Sequence, residues 1–362
     1  MDKKKVAILT CGLEPNYGAC LQAFATQQAI NSLGCESEIL NYSFMSDKEY
    51  SPFVQKSIKA FISSILYYNL RKSLNKAFKQ FRSEHMKYAA DKFNSQETAR
   101  DSIDGYDMVL VGSDQVWNPH LGIDVNITLL NFYKDGPIKA SYASSFGISE
   151  LPPEKESIYL KALSEFKHIS VRENTGAAII KKLIDKDIPV VADPTMLLKS
   201  DDWDKYALEV ETDGKYLLIY DMAHSDLVLK TAKKIAAELG VKIIALSRII
   251  LPDKSIKTLR GISPANFLYL IKNAEAIVTD SFHGTLFSAI YHKNFYSCCP
   301  LPGRKISSRI TGFLKNVGLE ERIVYDVDNV VSGTVNYESA DLLIDRIRED
   351  SYNYLQDVLG EI

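Results

Sequence analysis

Residues 5–40 decide the fold and read KVAILTCGLEPNYGACLQAFATQQAINSLGCESEIL. The short apolar run Lys5–Leu9 is predicted to be a strand. The stretch Gly18–Leu33 is predicted to be a helix that Gly34 ends, and Ser37–Leu40 is predicted to be a second strand. A strand, a helix and a strand in this order indicate a parallel sheet with right-handed crossovers.

The same alternation of strands and helices continues along the chain. A helix is predicted over Asp226–Leu239, with Gly240 as its end, and Ser263 followed by Pro264 marks the start of another helix. Further strands are predicted at Tyr106–Val111, Lys139–Ala143, His168–Val171, Pro189–Ala192, Tyr216–Tyr220, Val241–Ala245, Ala276–Thr279 and Asn294–Ser297. The pattern predicts an α/β protein with two sets of parallel strands.

The length of 362 residues exceeds one ordinary core, so two domains are predicted. We place an N-terminal α/β domain in residues 1–195 and a C-terminal Rossmann-like domain in residues 196–335. Residues 336–362 are predicted to form a C-terminal helix, which either stays with the C-terminal domain or returns to the N-terminal domain. Residues 45–104 interrupt the alternation and are predicted to be a basic, helical insertion in the first domain. Two such domains leave a cleft where the carboxyl ends of the strands place ligands.

Composition and charge exclude several functional classes. The formal net charge is −3, so no basic field indicates nucleic acid. No apolar run approaches the ~20 residues of a membrane span, and the opening MDKKKVAILT lacks the features of a signal peptide. Five cysteines without metal-ligand spacing favour reduced thiols and a cytoplasmic location.

Residues 51–83 contain seven lysines and arginines and no acidic residue. Their apolar residues have helical spacing, which together with the basic charge suits an anionic membrane face. Peripheral contact with the inner face of a membrane is therefore one interpretation of this stretch. An ordinary helix pair that packs on the first domain is the other.

Three junctions between a strand and a helix contain most candidate site residues. The first follows the first strand and supplies Asn16, Tyr17, Gly18 and Gln22. A glycine at a helix start leaves backbone N–H groups for an anion. A capped helix with packing glycines fits the same pattern. The residues do not form GxGxxG, so a dinucleotide site is weakly supported.

The second junction reads VGSDQVWNP and supplies Ser113, Asp114, Gln115 and Trp117. An aromatic face beside side chains that form oriented hydrogen bonds is typical of a sugar site. The alternative is an aspartate that caps a helix next to a buried tryptophan.

The third junction reads VTDSFHGT and supplies Asp280, Ser281, His283, Gly284 and Thr285. A helix that starts directly after a strand places His283 where the helix dipole and the backbone N–H groups favour an anion. A histidine in this position can also deliver a proton. A satisfied core or surface histidine is the alternative.

Two arginines complete the candidate set. Arg172 closes a predicted strand, and its guanidinium would match a carboxylate or a phosphate with two hydrogen bonds. A salt bridge to Glu173 is the alternative. Ser308 and Arg309 start a later predicted helix, which is another helix end suited to an anion. No cluster of histidine, cysteine and carboxylate residues has metal-ligand spacing, so no metal and no cofactor are predicted.

In this order, the junctions resemble those of the polysaccharide pyruvyl transferases. The matching motifs span about residues 5–323 and include NYGACLQAFA, VLVGSDQVWNP, SYASSFG, SVREN, VVADPTMLL and ISPANFLYLIKNAEAIVTDSFHGTLFSAIYHKNF. The resemblance implies two Rossmann-like domains in a GT-B-like arrangement. It also implies transfer of a pyruvyl group from phosphoenolpyruvate to sugar hydroxyls, which forms a ketal on a cell-surface polysaccharide or its lipid-linked precursor.

The resemblance further implies that His283 and Arg172 hold phosphoenolpyruvate. The reaction needs an acid that acts on the donor and a base that acts on the sugar hydroxyl. His283 suits the first role, and Asp114 or Asp280 suits the second. Residues 45–104 resemble the family least. A GT-B nucleotide-sugar glycosyltransferase and a non-catalytic glycan-binding protein are the alternative functions.

We expect the activity to resist chelators, because the sequence offers no set of side chains at metal-ligand spacing. The measurement is release of phosphate from phosphoenolpyruvate before and after dialysis against EDTA. Retention of the full rate is expected. A loss that a divalent cation restores would contradict this prediction.

Overall fold

The computed structural model describes residues 3–42, 58–93, 95–222, 225–246, 253–299 and 307–362. For residues 58–70 and 307–308 it describes the backbone alone. The chain divides into two compact units. The first unit contains residues 1–47, 82–198 and 346–362, and the second contains residues 48–81 and 199–345.

A five-stranded parallel sheet in the order β3-β2-β1-β4-β5 forms the centre of the first unit. Its strands are β1 Lys5–Leu9, β2 Glu36–Tyr42, β3 Tyr88–Phe93, β4 Met108–Val111 and β5 Ile138–Ser141. Its helices are α1 Tyr17–Ser32, α3 Gln96–Asp101, α4 Val125–Thr128, α5 Pro153–Leu163 and α6 Asn174–Ile184. The residues of β4 are all buried, as expected for a parallel strand covered by helices on both faces.

A six-stranded parallel sheet in the order β11-β10-β9-β6-β7-β8 forms the centre of the second unit. Its strands are β6 Tyr216–Tyr220, β7 Lys242–Leu246, β8 Lys257–Leu259, β9 Ala276–Thr279, β10 Asn294–Cys298 and β11 Ile323–Val324. Its helices are α7 Ser200–Asp204, α8 Asp226–Leu239, α9 Pro264–Asn273, α10 Phe282–Ile290 and α11 Ser307–Asn316. Two parallel sheets with interleaved helices confirm the predicted α/β fold class.

Two helices are divided between the units. The helix α2 Ile58–His85 belongs to the second unit as far as Phe81, and α12 Glu338–Leu359 belongs to the first unit from Arg346 onwards. The end of α12 is bonded into the first unit, since Ser351 Oγ accepts a hydrogen bond from the backbone N–H of Ala192 at 2.8 Å.

The helix ends follow the local signals in the sequence. Gly240 ends α8 in the left-handed conformation, with φ of 65°. Ser263 caps α9, where its Oγ accepts a hydrogen bond from the backbone N–H of Asn266 at 3.1 Å, and Pro264 occupies the first turn. These two predicted boundaries are confirmed.

Two predicted strands differ from the structure. His168–Val171 and Pro189–Ala192 form only isolated bridges, through pairs such as Ala140 with His168 and Val171 with Val190. Serine side chains form hydrogen bonds with the backbone here: Ser141 Oγ accepts from the backbone N–H of Ser170 at 3.1 Å. Side chains that bond to the backbone compete with regular strand pairing, which explains the interruption.

The stretch 45–104 is not wholly helical. Its residues 45–57 lie outside the described residues, and the rest contains α2, β3 and α3. The strand β3 pairs with β2 at the edge of the first sheet, where Tyr42 lies opposite Phe93. Its sequence, YAADKF, contains two charged residues and two alanines, so it lacks the run of large apolar residues that marks a central strand.

The basic part of this stretch is grouped with the second unit, whereas the sequence predicted it within the first domain. Ser73 of α2 lies against Gly261 of the second unit. Lys72, Lys76 and Lys79 are exposed. Among the helices in the described ranges, none has the length and apolarity that crossing a membrane requires.

Candidate functional site

Gln22 links the carboxyl ends of β1 and β4 in the first unit. Its Nε2 donates to Thr10 Oγ1 at 2.9 Å and to the carbonyl of Cys11 at 2.6 Å. Its Oε1 accepts from the backbone N–H of Ser113 at 3.3 Å. Gln22 is fully buried, so it holds α1 to both strand ends and presents no group to a ligand.

The start of α1 is a capped helix end, which is one of the two interpretations that the sequence allowed. Asn16 caps the helix, and its Oδ1 accepts from the backbone N–H of Ala19 at 3.4 Å. Tyr17 is half-buried and Gly18 is buried. The first turn contains no acidic residue, so the positive end of the helix dipole is not neutralised by its own side chains. Anion binding at this end stays a prediction.

Arg172 lies at the centre of a buried cluster in the first unit. Its Nη1 is 2.6 Å from Asp193 Oδ2, its Nη2 is 3.5 Å from Asp114 Oδ1, and its Nε is 3.9 Å from Glu173 Oε2. The Arg172 side chain is 3% exposed. Ser113 Oγ lies between two of these groups, 3.3 Å from Asp193 Oδ2 and 3.4 Å from Arg172 Nη1.

Two of the three carboxylates in this cluster also hold the surrounding backbone. Asp193 Oδ1 accepts from both the N–H and the hydroxyl of Thr195, at 3.0 and 2.7 Å. Glu173 Oε1 accepts from Ser145 Oγ at 2.8 Å and from the N–H of Phe146 at 3.0 Å. These carboxylates therefore fix loops as well as the arginine.

The cluster is rich in negative charge. One guanidinium faces three carboxylates. Burial lowers the pKa of Arg172, but Asp193, Asp114 and Glu173 raise it by more, so that its pKa lies above the ordinary value. The guanidinium stays protonated, and its charge is compensated by its own chain.

Asp114 is the most exposed of the three carboxylates. Its side chain is 17% exposed, that of Glu173 is 13% exposed, and that of Asp193 is fully buried. Its backbone has φ of 66°, a region that non-glycine residues seldom adopt and that recurs at functional sites. The backbone is held there, because the Asp114 carbonyl accepts from the N–H groups of Val116 at 2.8 Å and Ser145 at 3.0 Å.

Trp117 is a core residue in this structure. It is fully buried, and its ring packs against Phe146 and edge-on against Phe166, with centroids 5.4 and 5.8 Å away. Its Nε1 donates to the carbonyl of Thr128 at 3.1 Å. Of the two interpretations of the junction, the buried tryptophan describes this residue, because its ring has no face left for a sugar.

Gln115 is half-buried and bonded within its own loop. Its Oε1 accepts from Asn118 Nδ2 at 2.6 Å, and its side chain lies against Gly147. The φ of Gly147 is +61°, and a Cβ there would overlap the Gln115 carboxamide. The loop around Gln115 is therefore tightly packed.

The cysteines do not supply a nucleophile. Burial raises the pKa of the Cys11 thiol well above its ordinary value, and the nearby charges of Asp114 and Glu14 raise it further. Burial also raises the pKa of Cys298 and of Cys299 to about 12. All five cysteines are free thiols, and these three are protonated at neutral pH.

In the second unit, Ser281 caps α10. Its Oγ accepts from the backbone N–H of Gly284 at 3.3 Å, and its carbonyl accepts from the N–H of Thr285 at 3.0 Å. Thr285 Oγ1 bonds with the hydroxyl of Ser297 at 2.8 Å, and all of these residues are buried. The predicted site residues Ser281, Gly284 and Thr285 thus build the helix start.

Gly284 is required by the close approach of α10 to β6 and β9. A Cβ at this position would lie 2.4 Å from Thr279 Oγ1 and 2.9 Å from Tyr220 Cδ1. Thr279 Oγ1 cannot move aside easily, because it donates to the carbonyl of Tyr220 at 2.6 Å and accepts from the N–H of Ser281 at 3.0 Å. This packing fixes the position of the preceding residue, His283, in the first turn of α10 and close in sequence to the end of β9.

His283 lies in the first turn of α10 and is 7% exposed. Its ring contacts Phe282 edge-on, with centroids 5.4 Å apart. The guanidinium of Arg309, from α11, lies 5.6 Å from the centre of the Phe282 ring. A histidine and an arginine, both predicted from the sequence, therefore contact the same phenyl ring, while the side chain of Ser308 lies outside the described residues.

Asp280 ends β9 and is 5% exposed. Its Oδ1 accepts from the backbone N–H of Met222 at 2.7 Å, which ties the end of β9 to the segment after β6. In the part of the chain that the structure describes, no group of three or more histidine, cysteine or carboxylate side chains is arranged to hold a metal ion.

Asp193 and Thr10 were not predicted as site residues. The sequence marks Asp193 as the residue before Pro194, within the motif VVADPTMLL, where the chain leaves a predicted strand. A carboxylate directly after a buried apolar run is the signal that could have found it, because a buried acid requires a charged or hydrogen-bonding partner. Thr10 gives no such signal, because its role is to donate to the carbonyl of Ser113.

Comparison with known proteins gives one family and a common fold. The family model described as polysaccharide pyruvyl transferase matches residues 16–298. A structure from Listeria monocytogenes, assigned as a UDP-N-acetylglucosamine 2-epimerase, is 10% identical with a TM-score of 0.51, covering 98% of this chain and 91% of that one. The glycosyltransferase SnogD from Streptomyces nogalater is 10% identical with a TM-score of 0.46, covering 99% and 98%. The likeness to the Listeria monocytogenes structure shows a shared fold alone. Among curated proteins, none matches this chain.

We expect Gly284→Ala to lower the free energy of unfolding by about 1–3 kcal/mol, because a methyl group must displace Thr279 or α10. Urea unfolding measures the change. Gly312→Ala in α11 is the matched control, since a Cβ there meets no atom within 4 Å. The control is expected to gain about 0.5–1 kcal/mol of stability. Equal stability of Gly284→Ala and the wild type would contradict the close packing.

Proposed function

The chain belongs to the polysaccharide pyruvyl transferase family, a family of transferases, and we propose that it transfers a pyruvyl group from phosphoenolpyruvate to two hydroxyls of a glycan. The proposal rests on the family match over most of the chain. It is supported by one feature of the second unit, the contacts of both His283 and Arg309 with the ring of Phe282.

The proposed reaction balances without an oxidant or a reductant. A proton is added to the methylene carbon of phosphoenolpyruvate, and a first sugar oxygen bonds to C2 as it loses its own proton. A second sugar hydroxyl then bonds to C2 and loses its proton, while the bond from C2 to the phosphate oxygen breaks and the departing phosphate takes up a proton. The products are a pyruvyl ketal and inorganic phosphate.

His283 and Arg309 suit the donor. Phosphoenolpyruvate carries a carboxylate and a phosphate, so its site requires cationic groups and proton donors. Arg309 supplies a permanent charge, and the imidazole of His283 supplies a proton for the methylene carbon or the departing phosphate. The positive end of the α10 dipole also favours an anion at this position, because His283 lies in the first turn of α10.

Asp114 suits the acceptor. A sugar hydroxyl needs a base, and Asp114 is the most exposed of the three carboxylates around Arg172. Asp280 is less suited, because it is buried and accepts a hydrogen bond from the backbone of Met222. The acceptor that we propose is a cell-surface glycan or its lipid-linked precursor.

Donor choice tests the proposal directly. Thermal shift and calorimetry with phosphoenolpyruvate, compared with a panel of nucleotide sugars, separate a pyruvyl transferase from a glycosyltransferase. We expect binding of phosphoenolpyruvate and phosphate release when methyl glycosides of common hexoses are added as acceptors. Binding of a nucleotide sugar with no response to phosphoenolpyruvate would overturn the proposal.

We expect His283→Ala to lower turnover by ~10²-fold or more while the fold survives, because general acid catalysis contributes about 10²–10⁴-fold. Phosphate release measures turnover, and the melting temperature reports the fold. His292→Asn is the matched control, because His292 is an exposed histidine of the same unit and asparagine tolerates its φ of 49°. Turnover of His283→Ala near the wild-type rate would remove this residue from the mechanism.

A lipid-linked acceptor would bring the enzyme to an anionic membrane surface, where the basic stretch 51–83 would bind. Each lysine or arginine at such a surface contributes ~1 kcal/mol, so binding is weak and sensitive to salt. We expect the protein to sediment with anionic vesicles at low salt, and not with neutral vesicles or at high salt. Changing the exposed Lys72, Lys76 and Lys79 to glutamate should abolish sedimentation.

The control for this experiment changes the same amount of charge elsewhere. Lys134, Lys155 and Lys161 are exposed lysines of the first unit. Their replacement by glutamate should leave sedimentation close to that of the wild type. Membrane binding through this stretch would be rejected if the wild-type protein never sediments. It would also be rejected if the control variant loses as much sedimentation as the variant of Lys72, Lys76 and Lys79.

A further inference from the structure

We infer that the first unit contains a second ligand site, a cavity close to β5 that binds an acidic saccharide, meaning a sugar that carries a carboxylate. The residues that line this cavity include none of the predicted site residues and none of the cluster around Arg172. The inference goes beyond the proposed function and does not depend on it, because its test measures binding and not turnover.

The cavity has a volume of about 580 Å³. It is lined by the start of α3, by α4 with the segment that leads to β5, and by α5 with the residues that follow it. Small-molecule sites typically have volumes of about 300–1,000 Å³ and combine apolar or aromatic walls with a few fixed polar groups. The size of this cavity therefore suits a saccharide, and its lining decides the chemistry.

Three carboxamides line the cavity and are fixed by hydrogen bonds. Gln96 Nε2 donates to Asp124 Oδ2 at 3.3 Å, and Asn126 Nδ2 donates to Asp124 Oδ1 at 3.2 Å. Asn131 Nδ2 donates to Asn126 Oδ1 at 3.2 Å. The side-chain oxygens of Gln96 and Asn131 accept no hydrogen bond from the described residues, so they are available to a ligand. Fixed groups that donate and accept match sugar hydroxyls, which also do both, and lose little entropy on binding.

Two aromatic residues supply the apolar part of the lining. Tyr133 is 5% exposed, and its ring lies edge-on to that of Phe132, with centroids 5.2 Å apart. Lys139 Nζ lies 4.7 Å from the centre of the Tyr133 ring. Tyr133 is thus held in the core and supports Phe132, which is only half-buried. A partly exposed ring beside carboxamides suits the C–H face of a sugar.

Charge selects the class of saccharide. Lys134 and Lys161 line the cavity, are exposed, and form no ion pair with any described residue. Glu165 also lines it, but its carboxylate is already paired with Lys139, whose Nζ lies 2.6 Å from Glu165 Oε2. The cavity therefore has an excess of positive charge on flexible side chains, which favours a sugar with a carboxylate over a neutral one.

The proposed reaction itself makes an acidic saccharide, because a pyruvyl ketal carries a carboxylate. Where the proposed function holds, the cavity retains a glycan chain through a sugar that is already modified. This consequence rests on the proposed function, whereas the binding of an acidic saccharide does not.

Methyl β-glucuronide and methyl β-glucoside test the inference, because they differ only in the carboxylate that replaces a hydroxymethyl group. Saturation-transfer NMR and calorimetry with the full chain give both Kd values. We expect the glucuronide to bind about fivefold more tightly or better, the effect of one favourable exposed ion pair. Changing Lys134 and Lys161 together to glutamine should make the two Kd values equal.

A second variant tests recognition of the sugar ring. Asn131→Leu keeps the size of the side chain and removes a fixed carboxamide, so we expect both glycosides to bind about fivefold more weakly. The melting temperature reports the fold. Should Asn131→Leu fail to fold, the lysine variant still decides, because both of its changes are on exposed side chains.

The matched control removes the same charge from elsewhere on the first unit. Lys155 and Lys186 are exposed lysines that do not line the cavity. Changing both to glutamine should leave the preference for the glucuronide at its wild-type value. A control that loses the preference as fully as the variant of Lys134 and Lys161 shows a general effect of charge, and the inference is then overturned.

Four other results also overturn the inference. The wild type does not bind the glucuronide, it binds both glycosides equally, or it keeps its preference when Lys134 and Lys161 are changed. The fourth is that acetate binds as tightly as the glucuronide, since the carboxylate alone is then recognised. Failure of the proposed function is a separate result, in which the wild type neither binds phosphoenolpyruvate nor releases phosphate while these binding ratios stay as expected.

Discussion

The first unit depends on the compensation of one buried positive charge. A guanidinium that is 3% exposed is stable only if its own chain supplies partners, since an unpaired buried charge costs several kcal/mol. Glu173 is the next residue in the chain, and the other two partners, Asp114 and Asp193, come from separate segments. Pairing with Arg172 therefore brings these segments together beyond the end of the sheet. The same carboxylates hold the loop at Ser145 and the turn at Thr195.

The second unit is organised by close packing and neutral hydrogen bonds. Ser281, Thr279 and Gly284 bring the start of α10 against β6 and β9 without any ion pair among them. His283 and Arg309 lie near this start, and both contact the ring of Phe282. The two units are thus organised differently. A buried ion-pair cluster orders the strand ends of the first unit, and close packing with neutral hydrogen bonds orders those of the second.

Polar residues at strand ends have two roles that the sequence does not distinguish. Where a strand ends, backbone groups leave the ladder and need new partners, which nearby side chains supply. Gln22 and Thr285 have this role and are fully buried. Trp117 likewise belongs to the core, although it lies among polar residues in the sequence. Density of polar residues at a junction therefore indicates where the backbone needs support as well as where a ligand binds.

The sequence by itself determined the α/β class, the two sets of parallel strands, and helix boundaries such as Gly240 and Ser263. These features depend on periodicity and on residues a few positions apart, so local chemistry decides them. Only the tertiary structure decided which carboxylates Arg172 meets, because Asp193 is 21 positions away and strand order brings it close. It also decided that β3 joins the first sheet, since an edge strand with two charged residues and no run of large apolar ones is stabilised by pairing with its neighbour.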